Sequence, residues 1–213
     1  MIGKFEQELP KWVATACKDW AYPHPANDYY DKAFGRLPVG LRSWLSLGID
    51  QGLIIIEGRQ FSLKDLPPEK GPYNWFSRYS SKKEPAPNWE YFIQVAEYVR
   101  LFQIAKAHGL TLTFEDDLMD LALYQDGRLL VCYEVKEKAS QIKRLVSGIK
   151  TYQKQIDYDA PDRGNDPLRK AKYLAKKRPA YFSGVAIGAR LEYQVEYPEG
   201  QAFQLVEDFI TFS

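Results

Sequence analysis

Apolar residues recur along this chain with two spacings, and the spacings predict both helices and strands. Near the start, a helix is predicted because apolar side chains recur every three or four positions. These residues are Phe5, Leu9, Trp12, Val13, Ala16 and Trp20. A second helix is predicted over 39–51. Two short apolar runs at 53–57 and 60–63 flank Gly58-Arg59, which predicts a hairpin.

The rest of the chain alternates between long helical patterns and short apolar runs. Helices are predicted over 89–108 and 139–155, and strands over 110–114, 121–124, 129–135 and 181–187. A closing pair of strands is predicted at 191–197 and 202–210. The mixture predicts an α/β or α+β domain with a mixed sheet flanked by helices.

Between these regions, residues 66–87 are rich in Pro, Ser and Lys, which is typical of a linker or surface segment. Aromatic residues (Tyr73, Trp75, Phe76 and Tyr79) are interleaved with basic ones. Such aromatics can stack on bases, but more often they pin a loop to a core, and we favour pinning. The predicted organisation is a helical module over 1–65, a linker over 66–87 and a second domain over 88–213.

Composition narrows the class of protein. The 213 residues are 45% apolar, enough for a packed core, and the two cysteines form no disulfide framework. No apolar stretch reaches the roughly 18 residues that a membrane span needs, and the N-terminus lacks a signal pattern. We therefore expect a cytoplasmic protein with no membrane partner. A GKS or GKT phosphate loop does not occur in the sequence, which argues against an NTPase.

The candidate chemistry lies in residues 120–136, DLALYQDGRLLVCYEVK. Asp120 comes directly before the first strand of a predicted hairpin, and Glu134 and Lys136 lie at the end of the second strand on a shared face. Two carboxylates and an ammonium at one end of a sheet are suited to metal-assisted cleavage of a phosphodiester. The competing interpretation is an exposed strand end whose charges are solvated.

Whether Asp120 joins the other two residues depends on the turn between the strands. A two-residue Asp126-Gly127 turn would pair Asp120 with Tyr133, on the wrong face. A three-residue loop that adds Gln125, with Gly127 as a left-handed bulge, would pair Asp120 with Cys132, diagonal to Glu134. We predict the three-residue loop.

This stretch resembles the core of the PD-(D/E)XK nuclease superfamily, which includes restriction-endonuclease-like and RecB-like enzymes. The shared order is a helix, a strand, a strand with the acidic residue, a strand with Glu-x-Lys and a helix, and it covers about 88–190. Met119 stands where the family name has Pro. The resemblance implies a restriction-endonuclease-like mixed sheet and a Mg²⁺-dependent nuclease. The N-terminal helix and hairpin resemble, more weakly, the last half of a winged-helix module.

The resemblance also implies roles for individual residues. Asp120, Glu134 and the backbone carbonyl of Val135 would hold Mg²⁺, for which Mn²⁺ would substitute. Lys136 would orient the attacking water or stabilise the phosphate, and its carboxylate neighbours favour the second role. Some relatives add a glutamate from the first helix, for which Glu97 is the candidate. RecB-like relatives carry Gln and Tyr after the lysine strand, which suggests Gln153.

Charge supports a nucleic-acid partner. The whole chain carries a net charge of +1, but residues 138–178 hold twelve Lys or Arg and four Asp, or 12 − 4 = +8. Basic surface beside a metal site is typical of contact with a phosphate backbone; a solvated helix pair is the alternative. The predicted DNA contacts are Lys143, Lys150, Lys154, Lys170, Lys172, Lys176 and Lys177.

Two other classes of protein stay open at this point. One is a catalytically inactive nucleic-acid-binding or scaffold protein with the same fold. The other is an interaction module with no nucleic-acid role. Because double-strand cleavage usually needs two sites, a homodimer through the N-terminal module is compatible with the sequence.

Overall fold

The computed structural model describes residues 3–67, 69–79 and 81–212, apart from the Tyr79 side chain. Within these residues the helices are α1 (Lys4–Trp20), α2 (Tyr29–Phe34), α3 (Val39–Asp50), α4 (Trp89–His108), α5 (Ala139–Lys150) and α6 (Asp166–Lys177). The strands are β1 (Ile54–Glu57), β2 (Gln60–Leu63), β3 (Tyr73–Asn74), β4 (Phe76–Tyr79), β5 (Glu84–Pro87), β6 (Thr111–Asp116), β7 (Met119–Gln125), β8 (Arg128–Lys138), β9 (Tyr181–Ile187), β10 (Ala189–Glu196) and β11 (Gln204–Glu207). Two compact units divide the chain, residues 1–100 and 101–213.

The first unit combines α1–α3 with two small antiparallel sheets, β1-β2-β3 and β4-β5. Helix α1 forms as its apolar spacing predicts, and it buries Phe5, Leu9 and Trp12. The 53–57 and 60–63 hairpin is confirmed, with Ile54 paired to Leu63 and Glu57 to Gln60. Short helix α2 follows the Pro-rich stretch after α1 and was not predicted.

Residues 66–87 belong to the first unit rather than forming a free linker. Trp75 is fully buried, and its ring stacks on Trp12 (5.4 Å between centroids) and on Phe61 (4.1 Å). The pinning interpretation is therefore confirmed for Trp75 and also for Phe76, which is buried. The predicted contribution of the Tyr79 side chain lies outside the described residues. The boundary between units falls after residue 100, inside α4, whereas the sequence placed it at 88.

The second unit is built on a six-stranded mixed sheet with the order β11-β10-β9-β8-β7-β6. All neighbours are antiparallel except β8 and β9, which run parallel. A parallel pair needs a long crossover, and α5 and α6 lie in it. The predicted mixed α+β fold is confirmed at this level, as is the closing pair β10–β11, although β11 is shorter than predicted.

Helices α5 and α6 cover one face of this sheet. Both are strongly amphipathic, and their buried side chains join a core that includes Ile142, Ile149, Leu168, Leu174 and residues of β9–β11. Helix α5 ends at Lys150, five residues earlier than predicted, where the Thr151 hydroxyl turns back to the Gly148 carbonyl. No helix in the described part of the chain combines the length and apolar character that a bilayer crossing requires.

Candidate active site

The β7–β8 hairpin carries the candidate residues, and its turn differs from the prediction. Gln125 pairs with Arg128, so Asp126 and Gly127 alone make the turn. Both have positive φ, 50° and 75°, the geometry of a two-residue turn whose twist matches that of the strands. Asp tolerates the left-handed conformation, so Gln125 is free to extend the strand. The predicted three-residue loop is wrong.

A β-bulge beyond the turn nevertheless brings the two carboxylates together. Tyr124 pairs with Leu129, whereas Leu123 pairs with Val131, so β8 contains one extra residue, Leu130. The bulge shifts the register by one position. Leu121 then pairs with Tyr133, and in this register the Asp120 side chain reaches the Val135 N–H, next to Glu134. The predicted pairing with Cys132 is wrong, but both carboxylates lie on one face of the sheet.

That face is the one covered by α5 and α6. On the parallel partner β9, Gly184 lies beside Glu134, and a Cβ at Gly184 would come within 2.6 Å of Ile142 Cγ1 in α5. The glycine therefore lets α5 approach the strand that neighbours Glu134. Glu134 is only 2% exposed, whereas Asp120 is partly exposed. The carboxylate pair thus lies between a packed helical layer and solvent.

Each carboxylate has identified partners. Asp120 Oδ2 accepts a hydrogen bond from the Val135 backbone N–H at 2.5 Å. Glu134 Oε1 lies 2.8 Å from Lys136 Nζ, and Glu134 Oε2 lies 2.5 Å from Lys170 Nζ in α6. Lys170 also donates to the backbone carbonyl of Leu118. Two carboxylates and two ammonium groups therefore form one cluster with no net charge when all four are ionised.

Burial and charge act strongly on Asp120. Loss of solvent contact and then the nearby negative charge of Glu134 raise the pKa of Asp120 to about 8, against the smaller opposing effects of the Val135 N–H and the two lysines. Burial also raises the pKa of the neighbouring Cys132 thiol, which makes it a core residue rather than a nucleophile. A carboxyl that resists ionisation beside another carboxylate is the electrostatic setting that a bound cation relieves.

The donor set fits a hard divalent cation. Mg²⁺ keeps several waters and is usually held by one or two carboxylates together with substrate phosphates. Asp120 and Glu134 supply that number of carboxylates on adjacent strands. Among the residues that the structure describes, there is no cluster of three or more His, Cys, Asp or Glu side chains that could hold a metal.

Comparison of the chain with family models, with curated proteins and with solved structures gave no match. The assignment of a role to this cluster therefore depends on its geometry and on the pattern of residues that it contains.

Two weaker candidates lie in other settings. Glu97 belongs to the first unit, where it is 3% exposed and accepts two hydrogen bonds from Arg100, at 2.6 and 3.0 Å. Gln153 lies in the turn after α5, and its backbone carbonyl accepts from the N–H groups of Ala202 and Phe203, just before edge strand β11. Strands β10 and β9 separate β11 from β8, about 14 Å at the usual strand spacing. Neither placement adds support to the predicted roles.

The predicted basic surface divides into exposed and inward-facing lysines. Lys143, Lys154, Lys176 and Lys177 are exposed, and Lys150 is half-buried. Lys172 donates to the carbonyls of Tyr158 and Ala160 and so holds the α5–α6 loop. Lys170 is 4% exposed, so its assignment to a DNA-facing surface is wrong.

Lys170 belongs to the cluster in the structure, although the sequence predicts only Asp120, Glu134 and Lys136 there. Its neighbours at i+3 and i+4, Tyr173 and Leu174, are buried, as are Leu168 and Ala171. A lysine in the middle of an apolar helix face is the signal that could have identified it, because a lysine is buried only when a partner offsets the cost.

Proposed function

We propose that this protein is a metal-dependent nuclease of the restriction-endonuclease-like type that hydrolyses DNA phosphodiester bonds. The observation that carries the proposal is the cluster on one sheet face. Asp120 accepts a hydrogen bond from the Val135 N–H, next to Glu134 on the adjacent strand, and Lys136 lies 2.8 Å from Glu134. The order of elements α4, β6, β7, β8 and α5 agrees with the pattern of the PD-(D/E)XK superfamily and supports the same interpretation.

The residues of the cluster would act as follows. Asp120 and Glu134 would hold Mg²⁺, together with the Val135 carbonyl that the family resemblance implies. When bound, Mg²⁺ would acidify a coordinated water and neutralise charge on the scissile phosphate. Lys136, the more accessible of the two lysines, would place its positive charge on the phosphate as negative charge develops there. The Val135 N–H fixes the Asp120 carboxylate in place.

Exposed lysines on α5, α6 and the turn after α5 are suited to the DNA backbone. Lys143, Lys154 and Lys176 are solvent-exposed, and they belong to the unit that contains the cluster. Each phosphate contact lowers the slope of log affinity against log salt by about 0.9 for duplex DNA. Lys154→Gln is expected to make the slope less negative by about that amount and to weaken binding equally for all sequences. Lys11→Gln, an exposed lysine of the first unit, is the control for loss of one charge.

The deciding experiment is a cleavage assay. Supercoiled plasmid, linear duplex and single strands are incubated with the full chain in Mg²⁺, Mn²⁺ or EDTA. Cleavage should require the metal and fall at least about 100-fold in Asp120→Asn, Glu134→Gln and Lys136→Met, since each removes a group that acts on the transition state. Asp126→Asn, on the exposed turn of the same hairpin, should cleave normally. Cleavage that persists in all three variants would refute the assignment.

A catalytically inactive DNA-binding protein of the same fold is the second candidate. It is favoured by the fact that an ammonium group contacts each of the two Glu134 oxygens, which can balance the charge of the cluster without a metal. This candidate predicts a gel shift that persists in EDTA and no cleavage in Mg²⁺ or Mn²⁺.

A further inference from the structure

Lys170 is the more buried of the two lysines that contact Glu134. Its side chain is 5% exposed, and its ammonium lies 2.5 Å from Glu134 Oε2 while it also donates to the Leu118 carbonyl. Burying an ammonium costs several kcal/mol unless it is paired and hydrogen-bonded. Its identified partners are the Glu134 carboxylate and the backbone carbonyl two residues before Asp120, so the position of Lys170 is tied to Glu134.

The two lysines take different oxygens of the same carboxylate. Lys136 contacts Oε1 and is 22% exposed, whereas Lys170 contacts Oε2 from the helical layer. When both carboxylates are ionised, they and Lys136 alone would carry a net charge of −1. Lys170 therefore supplies a fixed positive charge on the buried side of Glu134.

The other lysines of α6 have different partners. Lys172 contacts Tyr158, Ala160 and Asp162, and Lys177 lies 3.7 Å from Asp117. Lys176 is exposed. Lys172 is a matched comparison for Lys170, because it lies two residues away on the same helix and also donates to backbone carbonyls.

We propose that Lys170 is a positioning residue that occupies one cation position at Glu134, so that the cluster accepts a single divalent cation and binds it weakly. Two-metal sites place two cations about 3.5–4 Å apart around shared carboxylates. The Lys170 ammonium at Glu134 Oε2 takes the place of one of the two cations, and its positive charge repels the remaining cation. This inference rests on the proposed function only in that the same carboxylates would hold the metal.

The test measures binding of Mn²⁺ alone to the full chain, by electron paramagnetic resonance of the free ion, with no DNA present. Wild type is expected to bind one Mn²⁺. Lys170→Met and Lys170→Gln are expected to bind Mn²⁺ at least about tenfold more tightly, because the competing charge is gone. Lys172→Met should stay within about twofold of wild type. Equal or weaker affinity in the Lys170 variants would overturn the proposal, as would two ions bound by wild type.

Folding of the variants gives a second measurement. Lys170→Gln keeps an N–H donor for the Leu118 carbonyl, so it is the milder change. If a variant is unfolded in EDTA, the proposal requires Mn²⁺ to restore its fold, because the ion then supplies the missing positive charge. A variant that stays unfolded in Mn²⁺ would count against the proposal.

The outcome separates this inference from the proposed function. Tighter Mn²⁺ binding in the Lys170 variants with no DNA cleavage by wild type would keep the role of Lys170 and remove the nuclease. Metal-dependent cleavage by wild type, with unchanged Mn²⁺ affinity in the Lys170 variants, would support the nuclease and refute the role of Lys170. Absence of Mn²⁺ binding in wild type and variants would overturn the role of Lys170, and the cleavage assay would then decide the nuclease separately, since its metal can be held together with the DNA phosphates.

Discussion

Replacing Asp120 by Asn should stabilise the metal-free protein at alkaline pH while it abolishes the proposed activity. The asparagine keeps an oxygen that can accept from the Val135 N–H, and it removes the charge that burial and Glu134 disfavour. In the folded protein the pKa of Asp120 is raised from 3.8 to about 8. Between these values the folded state holds a proton that the unfolded state has released. Folding stability therefore falls as the pH rises through this window.

The magnitude follows from the pKa difference. A pKa difference of 1 corresponds to about 1.4 kcal/mol, so the full difference between the folded and unfolded pKa of Asp120 would approach 5–6 kcal/mol. Because Asp120 is partly exposed and coupled to Glu134, solvent and the nearby lysines screen the effect. We expect wild type to lose about 2–3 kcal/mol more than Asp120→Asn between pH 4.5 and pH 8.

Urea denaturation in EDTA at pH 4.5, 6 and 8 measures this difference. Far-UV circular dichroism follows both units, whereas all five tryptophans lie between residues 12 and 89, so their fluorescence reports the first unit as an internal control. Asp126→Asn is the matched variant, since Asp126 is an exposed carboxylate at a positive φ that Asn tolerates. A pH profile of Asp120→Asn that is parallel to wild type would refute the reasoning.

Three further substitutions test the packing. Glu134→Ala should destabilise the second unit by about 3–5 kcal/mol in urea denaturation, because it strands the buried Lys170 ammonium, and a smaller loss would mean that Lys170 finds another partner. Gly184→Ala should cost about 1–3 kcal/mol in the same assay, because its Cβ would lie 2.6 Å from an Ile142 carbon, and an unchanged midpoint would show that α5 can shift. Trp75→Ala should cost about 3–5 kcal/mol, followed by fluorescence of the remaining tryptophans; an effect below 1 kcal/mol would contradict its role in the aromatic core.

The sequence predicted the elements of the second unit better than their register. Strong apolar runs mark β7, β8 and β9, and the Asp-Gly pair marks a turn. The bulge at Leu130 has no such signal, because Leu129 and Leu130 are both apolar and either can extend a strand. Asp120 and Glu134 share a face through a two-residue turn followed by this bulge, not through the predicted three-residue loop.

For residues 66–87 and for Lys170, composition gave the wrong prediction because contacts with distant residues determine the structure there. Residues 66–87 contain the Pro and Ser typical of a linker, yet Trp75 provides enough buried aromatic surface to join them to the first unit. From the sequence alone, Lys170 is expected on the surface because a lysine is usually exposed. Its position on the buried face of α6 was visible in the spacing, but its partner on a distant strand was not.

The parallel pairing of β8 with β9 has a consequence for the order of folding. The β7–β8 hairpin closes across two residues, whereas β9 can join β8 only after 42 intervening residues, 139–180, have folded back. We expect pulse-labelled amides of β7 and β8 to gain protection before those of α6 and β9. Asp120 and Glu134 would then come together early, while they are still in contact with water. Lys170 would reach Glu134 last, when α6 packs against the sheet.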